Sequence, residues 1–201
     1  MRLPIMIDLC CGTGGWSDPF LERGWTCIGF DVRRDPRYRG QIVIHDVRTL
    51  HGLEFASAGV IVASPPCTEF SRAKPENNQP GHCPDMSVVE ACFRIARESG
   101  VPLVLENVHS AQKWLGSSVN HFGPFHLWGN GVPALLPQGP RWKDRIKGLH
   151  RSPHLRARIP EELASAIAHH YSRSAVIEHR LPDQPQLAFA AGAHPTCMLE
   201  A

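Results

Sequence analysis

The sequence predicts an α/β fold, a doubly wound and mostly parallel sheet with helices on both faces. Three observations carry this prediction. Short apolar runs alternate with helix-length segments through the first half of the chain, the pattern of strands joined by crossover helices. The first run passes through a glycine turn straight into a helix. The second, fourth and fifth runs lead to Asp31, to Cys67 and to Glu106, so polar and reactive groups fall where parallel strands deliver them, at the carboxyl edge.

Pro4 to Leu9 is the first strand, and Cys10-Cys11-Gly12-Thr13-Gly14-Gly15 is the tight glycine turn after it. Ser17 or Asp18 then caps a helix that has Pro19 at its first position and Gly24 at its end. Trp25 to Phe30 is the second strand, ending on Asp31 about as far past the glycines as a ribose-binding acid lies. Glycines let a ligand approach the backbone closely, and a carboxylate there accepts hydrogen bonds from two ribose hydroxyls, so a nucleotide-type ligand fits. Ser17 stands where the third glycine of Gly-x-Gly-x-x-Gly would be, which disfavours a pyrophosphate-binding dinucleotide site. Gln41 to Ile44 is the third strand, closed by His45-Asp46-Val47. Asp46 either meets a base edge or an amine, or caps the turn from Val47 to Leu50.

Val60 to Ala63 is the fourth strand, and the chain must leave the sheet at Ser64-Pro65-Pro66, because two prolines neither extend a strand nor turn at once into helix. Cys67 is therefore held at an edge, where a thiolate can act as a nucleophile if neighbouring charge or donors activate it. Taken alone, such a residue reads more readily as an idle cysteine on a loop, and it is the stretches Asp8 to Gly15 and Glu106-Asn107-Val108 that change this reading. Arg72 to Pro84 is polar and rich in Pro, Asn and Gly, a mobile loop with few buried contacts. Asp85 caps a helix to about Ser99, with Val88, Val89, Cys92, Ile95 and Ala96 on its apolar face and Gly100 stopping it. Val101 to Leu105 is the fifth strand and ends on Glu106. Ser110 to Leu115 is a short helix, and His121 to Gly131 is a Gly- and aromatic-rich connection holding Trp128. Pro160 opens a last helix with Glu161 and Glu162 in its first turn and Leu163, Ile167 and Tyr171 along one face.

With 201 residues the chain is expected to make one domain over residues 1–173 and a C-terminal tail over 174–201, poorly ordered from about Leu181. No apolar run has membrane-spanning length, and Met1-Arg2-Leu3-Pro4 leads directly into a strand, so a soluble cytoplasmic protein without a membrane partner is expected. Seven cysteines without a Cys-x-x-Cys pair point to reduced thiols, and twelve histidines without ligand spacing give no metal site. The net charge of +2 is unevenly spread: between Gly139 and Arg158 there are seven Lys or Arg against the single Asp144, either a solvated surface or a phosphate-binding face.

Three motifs, in order, resemble those of the DNA cytosine-5 methyltransferases. Asp8-Leu9-Cys10-Cys11-Gly12-Thr13-Gly14-Gly15 resembles the family's cofactor loop, Pro65-Pro66-Cys67 with Phe70-Ser71 its catalytic loop, and Glu106-Asn107-Val108 its base-binding motif. The resemblance spans roughly Ile5 to Ser172 and suggests a small, phage-type member with a Rossmann-like fold that binds S-adenosylmethionine. It implies that Asp8, Cys10, Gly12, Gly14, Gly15 and Pro65 line the cofactor, with Asp31 and Val32 at its ribose and Asp46 and Val47 near its adenine. It further implies that the Cys67 thiolate attacks C6 of cytosine, making C5 nucleophilic. Glu106 would hold a proton at ring N3 and bond the exocyclic amine, C5 would take the methyl group, a base would remove the C5 proton, and Cys67 would leave. The partner would be DNA with the target cytosine flipped out or single-stranded, since C6 is unreachable within a stack.

Arg156 and Arg158 resemble the family's arginine pair that steadies the flipped base and its phosphate. Arg158-Ile159-Pro160 through Ala168 also resembles the family's last helix, which packs on the cofactor loop. Members that read a DNA sequence carry a recognition region between these two features, and here Arg158 runs directly into the helix. Base-edge readout needs side chains placed in a groove, so weak sequence preference is expected, with affinity carried by phosphate contacts from Arg141 to Arg158. RNA, a free cytosine nucleotide, or nucleic-acid binding without turnover are the alternative readings.

Overall fold

The computed structural model describes residues 3–139 and 158–177. The first half alternates as the sequence predicts: β1 (Ile5–Leu9), α1 (Ser17–Glu22), β2 (Thr26–Asp31), β3 (Gln41–Ile44), β4 (Val60–Ala63), α2 (Ser87–Ser99) and β5 (Leu103–Val108). A short α3 (Gln112–Leu115), β6 (Asn120–Phe122), β7 (Phe125–Trp128) and α4 (Glu161–Ile177) complete it. The seven strands among the described residues form one sheet in the order β3-β2-β1-β4-β5-β7-β6. β1 to β5 pair in parallel, whereas β7 runs antiparallel to both of its neighbours.

The central strands are apolar on both faces because both faces are covered. On one side Ile7, Leu9, Ile61, Ala63, Leu103 and Leu105 pack under α2 through Val89, Cys92 and Ile95. On the other, Met6, Val60, Val62 and Val104 meet Phe20 of α1 and Leu163, Ile167 and Tyr171 of α4. The alternation of these two sets along each strand follows from the two-residue period of extended chain. Asp85 accepts a hydrogen bond from the Ser87 N–H (2.9 Å), and Gly100 closes α2 at φ 69°.

Three local expectations change. Ser17 does not cap α1, which Trp16 precedes without a side-chain cap; the Ser17 hydroxyl is instead used by Asp8 in the core. β5 does not end on Glu106 but continues to Val108, since β7 supplies partners there: Glu106 pairs with Leu127 and Asn107 with His126. The stretch from His121 is therefore a hairpin turned at Gly123-Pro124, not a bare connection. Among the described residues no helix is long and apolar enough to cross a membrane.

Candidate active site

Parallel register aligns the strand ends. Leu9 lies beside Phe30 and beside Ala63, Ala63 beside Leu105, and Asp31 beside Ile44. The glycine loop, Asp31, Asp46, Cys67 and Glu106 consequently gather on one rim. Strand order reverses between β1 and β4, and the crevice at such a switch point is where α/β sheets bind ligands. The glycine loop borders it on one side and the Cys67 loop on the other.

Cys10 (φ 57°), Gly12 (φ 49°) and Gly14 (φ 82°) turn the first loop through left-handed backbone. A side chain at Gly12 would meet nothing within 4 Å, so the space above that residue is open for a ligand. The Gly12 N–H and the Arg33 N–H each donate to one oxygen of Asp31, both at 3.0 Å, fixing the carboxylate at the loop's edge. Beside it Val32 leaves an apolar side chain 62 % exposed. An open glycine cradle, an anchored carboxylate and an exposed apolar side chain suit a nucleoside-bearing cofactor.

Other cofactor-loop candidates lie differently. Asp8 is buried under the loop, where Ser17 donates to it at 2.6 Å and Tyr38 stands 2.9 Å from Ser17. Burial pushes the Asp8 carboxyl up to about 8, against the Ser17 bond, with Asp31 and Asp18 adding to the rise. Asp46 caps the turn Val47–Thr49 and grips Arg48, whose hydrogen bonds hold its carboxyl down to about 2. The Val47 side chain belongs to the core.

Cys67 opens a short helical turn (Cys67–Glu69) and is half-buried. Burial raises its thiol above the ordinary range, and the Glu106 carboxylate raises it further, while a backbone hydrogen bond lowers it. Glu106 is itself buried on β5. The next residue, Asn107, donates from its buried amide to the Pro65 carbonyl at 3.1 Å, and Ser110 donates to the Phe70 carbonyl. The loop bearing Cys67 is thus tied at both ends to the segment bearing Glu106. The segment from Arg72 to Pro84 is mostly exposed, as expected, yet Asn77 donates to the Thr68 and Ser71 carbonyls (2.7 and 3.0 Å). Cys10, Cys11, Cys27, Cys67 and Cys92 are free thiols, and Cys83 is disulfide-bonded, a departure from uniformly reduced thiols.

The two arginines separate. Arg156 and residues 140–157, which include most of the basic block, lie outside the described residues, as does the tail beyond 177. Arg158 pairs with Asp18 at 3.3 Å and passes against Gly15, where an added Cβ would stand 3.1 Å from Ile159. The chain entering α4 thus packs against the glycine loop.

Sequence reasoning missed four residues that hold the site. The Trp16 indole donates to the Ser64 hydroxyl at 2.9 Å, linking the glycine loop to the residue before Pro65. Asn107 and Ser110 fasten the Cys67 loop, and Tyr38 packs beneath the glycine loop against Gly14 and Gly29. Only Asn107 had a signal, its place within the Glu106-Asn107-Val108 motif.

No family model and no curated protein matches the sequence. Among solved structures, one similar chain is a protein described as a DNA modification methyltransferase encoded within an E. coli prophage (20 % identity, TM-score 0.37, covering 54 % of this chain and 33 % of that one). Others are the Entamoeba histolytica methyltransferase EhMeth (16 %, TM-score 0.41, 56 % and 40 %) and a mutant of Spodoptera frugiperda DNMT2 (18 %, TM-score 0.37, 55 % and 37 %). The match thus spans between a third and two fifths of those chains, and none of these similarities identifies a substrate. The strand order, with β7 alone reversed among the described strands, is that of a doubly wound, mostly parallel, Rossmann-like α/β sheet.

Proposed function

We propose that this chain is an S-adenosylmethionine-dependent methyltransferase acting at C5 of cytosine in DNA through a covalent Cys67 adduct at C6. The observation that carries the reading is the Asn107 bond to Pro65: it fastens the loop of the nucleophile to the strand of the carboxyl group. Gly12, Gly14, Asp31 and Val32 would hold the cofactor, which supplies an electrophilic methyl group when bound.

The chain's own residues account for the rest. Cys67 must lose its proton before its sulfur adds to C6, and the Glu106 charge opposes that loss. A protonated Glu106, donating to N3, removes the opposition and draws electrons from the ring, so one proton placement favours both the thiolate and its addition. Once the nucleophilic C5 has taken the methyl group and become tetrahedral, loss of its proton to a base would expel the sulfur and restore the aromatic ring. The target must be unstacked for this geometry. Arg158, held by Asp18, supports the cofactor loop in this reading, and Arg156 is left as the candidate for the base and its phosphate.

The test is methyl transfer from labelled S-adenosylmethionine to duplex DNA, single-stranded DNA, RNA and dCMP, with nucleoside analysis. The expected product is 5-methylcytosine in DNA. Label confined to RNA or dCMP would move the substrate, and binding without transfer would make the chain a nucleic-acid-binding protein.

A further inference from the structure

Beyond the rim, a cleft of about 930 Å³ opens between the Ser71–Ala73 segment and the β6–β7 hairpin, floored by Val108 to Ser110. Three histidines meet in its wall. His121 stacks on His126 with ring centres 5.2 Å apart and planes 21° from parallel, and His109 stands edge-on to His126 at 4.9 Å. His126 is buried and held by the Ser118 hydroxyl at 2.9 Å, whereas His109 and His121 are exposed. Burial, with His109 and His121 beside it, keeps the His126 ring neutral down to about 4, so it serves as a flat apolar support. Rings meeting face and edge do not aim three nitrogens at one centre, and among the described residues no group is placed to hold a metal ion. Among the described residues no carboxylate lines the cleft, and Arg72 contributes an exposed guanidinium.

Flat exposed rings and an exposed cation in one cleft suit a nucleotide, whose base stacks and whose phosphate is anionic. The cleft also shares structure with the Cys67 loop: Ser110 is both in its floor and bonded to Phe70, and Asn107, which holds Pro65, pairs across the sheet with His126. We infer that this cleft binds the nucleotide next to the target cytosine on the same DNA strand, with its base against His121 and its phosphate at Arg72. The inference rests on the proposed reaction for the identity of the strand, and it supplies local grip where no recognition region is inserted.

The experiment measures binding of a fluorescent single-stranded DNA oligonucleotide carrying one cytosine, in the presence of S-adenosylhomocysteine, and methyl transfer to the same strand. His121→Ala should weaken binding about ten-fold, the loss of one stacked base, while His121→Phe, which keeps a flat ring, should bind within about two-fold of the unmodified protein. Arg72→Ala should reduce the salt slope by about one phosphate contact. An abasic nucleotide on one side of the cytosine should abolish the difference between His121→Ala and the unmodified protein. Unchanged binding by His121→Ala overturns the inference, and if methyl transfer persists the proposed reaction stands. Weakened binding by His121→Ala without any methyl transfer upholds the cleft as a nucleotide site and overturns the reaction instead. No binding by the unmodified protein overturns both.

Discussion

Cys67 and Glu106 oppose each other electrostatically, since the carboxylate helps to keep the thiol protonated. Removing that charge should lower the thiol's pKa and raise its thiolate fraction. Glu106→Gln is therefore expected to speed alkylation of Cys67 by iodoacetamide at mildly alkaline pH, followed on the Cys67 peptide by mass spectrometry, while it abolishes methyl transfer. An unchanged or slower alkylation would separate the two groups. Asn107→Ala leaves the buried Pro65 carbonyl without its donor, a loss of about 1–3 kcal/mol, read as a lower denaturation midpoint together with slower transfer.

Asp8 gives a pH signature at the same scale. Its folded-state carboxyl is raised to about 8, chiefly by burial, whereas an unfolded chain releases that proton near the ordinary value of about 4. Between these values unfolding releases a proton, so Asp8's contribution is full below the lower value and is lost as pH rises towards the upper one, by at most about 1.4 kcal/mol per pH unit. Urea midpoints of Asp8→Asn, which retains an acceptor for Ser17, should fall less with rising pH across this window than those of the unmodified protein. Parallel slopes for the two proteins would contradict the assignment.

At the scale of elements, the site is made by two loops leaving adjacent parallel strands, joined where Trp16 reaches Ser64. Trp16→Phe keeps an aromatic ring in the packing and deletes the donor. It should cost about 1 kcal/mol of stability and slow transfer by misaligning the loops, with fluorescence-monitored unfolding and initial rates as the readouts. Much of this layer was legible in the sequence. The strands β1 to β5 announce themselves as apolar runs, and β3 and β4 fall at the predicted limits because proline, glycine or polar residues bracket them. The hairpin was not legible: strands of three and four residues carry too few alternations, and their pairing to β5 is a tertiary fact. Ser17 looks like a cap locally, yet a buried carboxyl across the core claims its hydroxyl. The tie between Asn107 and Pro65 spans 42 residues and has no local signature beyond its motif.

At the scale of the whole molecule, the sheet brings residues far apart in sequence onto one rim, and in the proposed function Arg158 runs directly into the last helix without an inserted recognition region. Binding to DNA should therefore depend on phosphates, with affinity falling steeply and linearly in log–log form as salt is added. A flat salt dependence would contradict that expectation. The central claim, that Cys67 attacks cytosine, is tested most directly by covalent capture on an oligonucleotide containing 5-fluorocytosine, whose fluorine blocks the elimination that frees the sulfur. With S-adenosylmethionine present, the unmodified protein should form a denaturation-resistant complex whose cross-linked peptide contains Cys67, and Cys67→Ser should form none. A complex that persists in Cys67→Ser, or methylation of ordinary cytosine without any capture by the unmodified protein, would contradict the account.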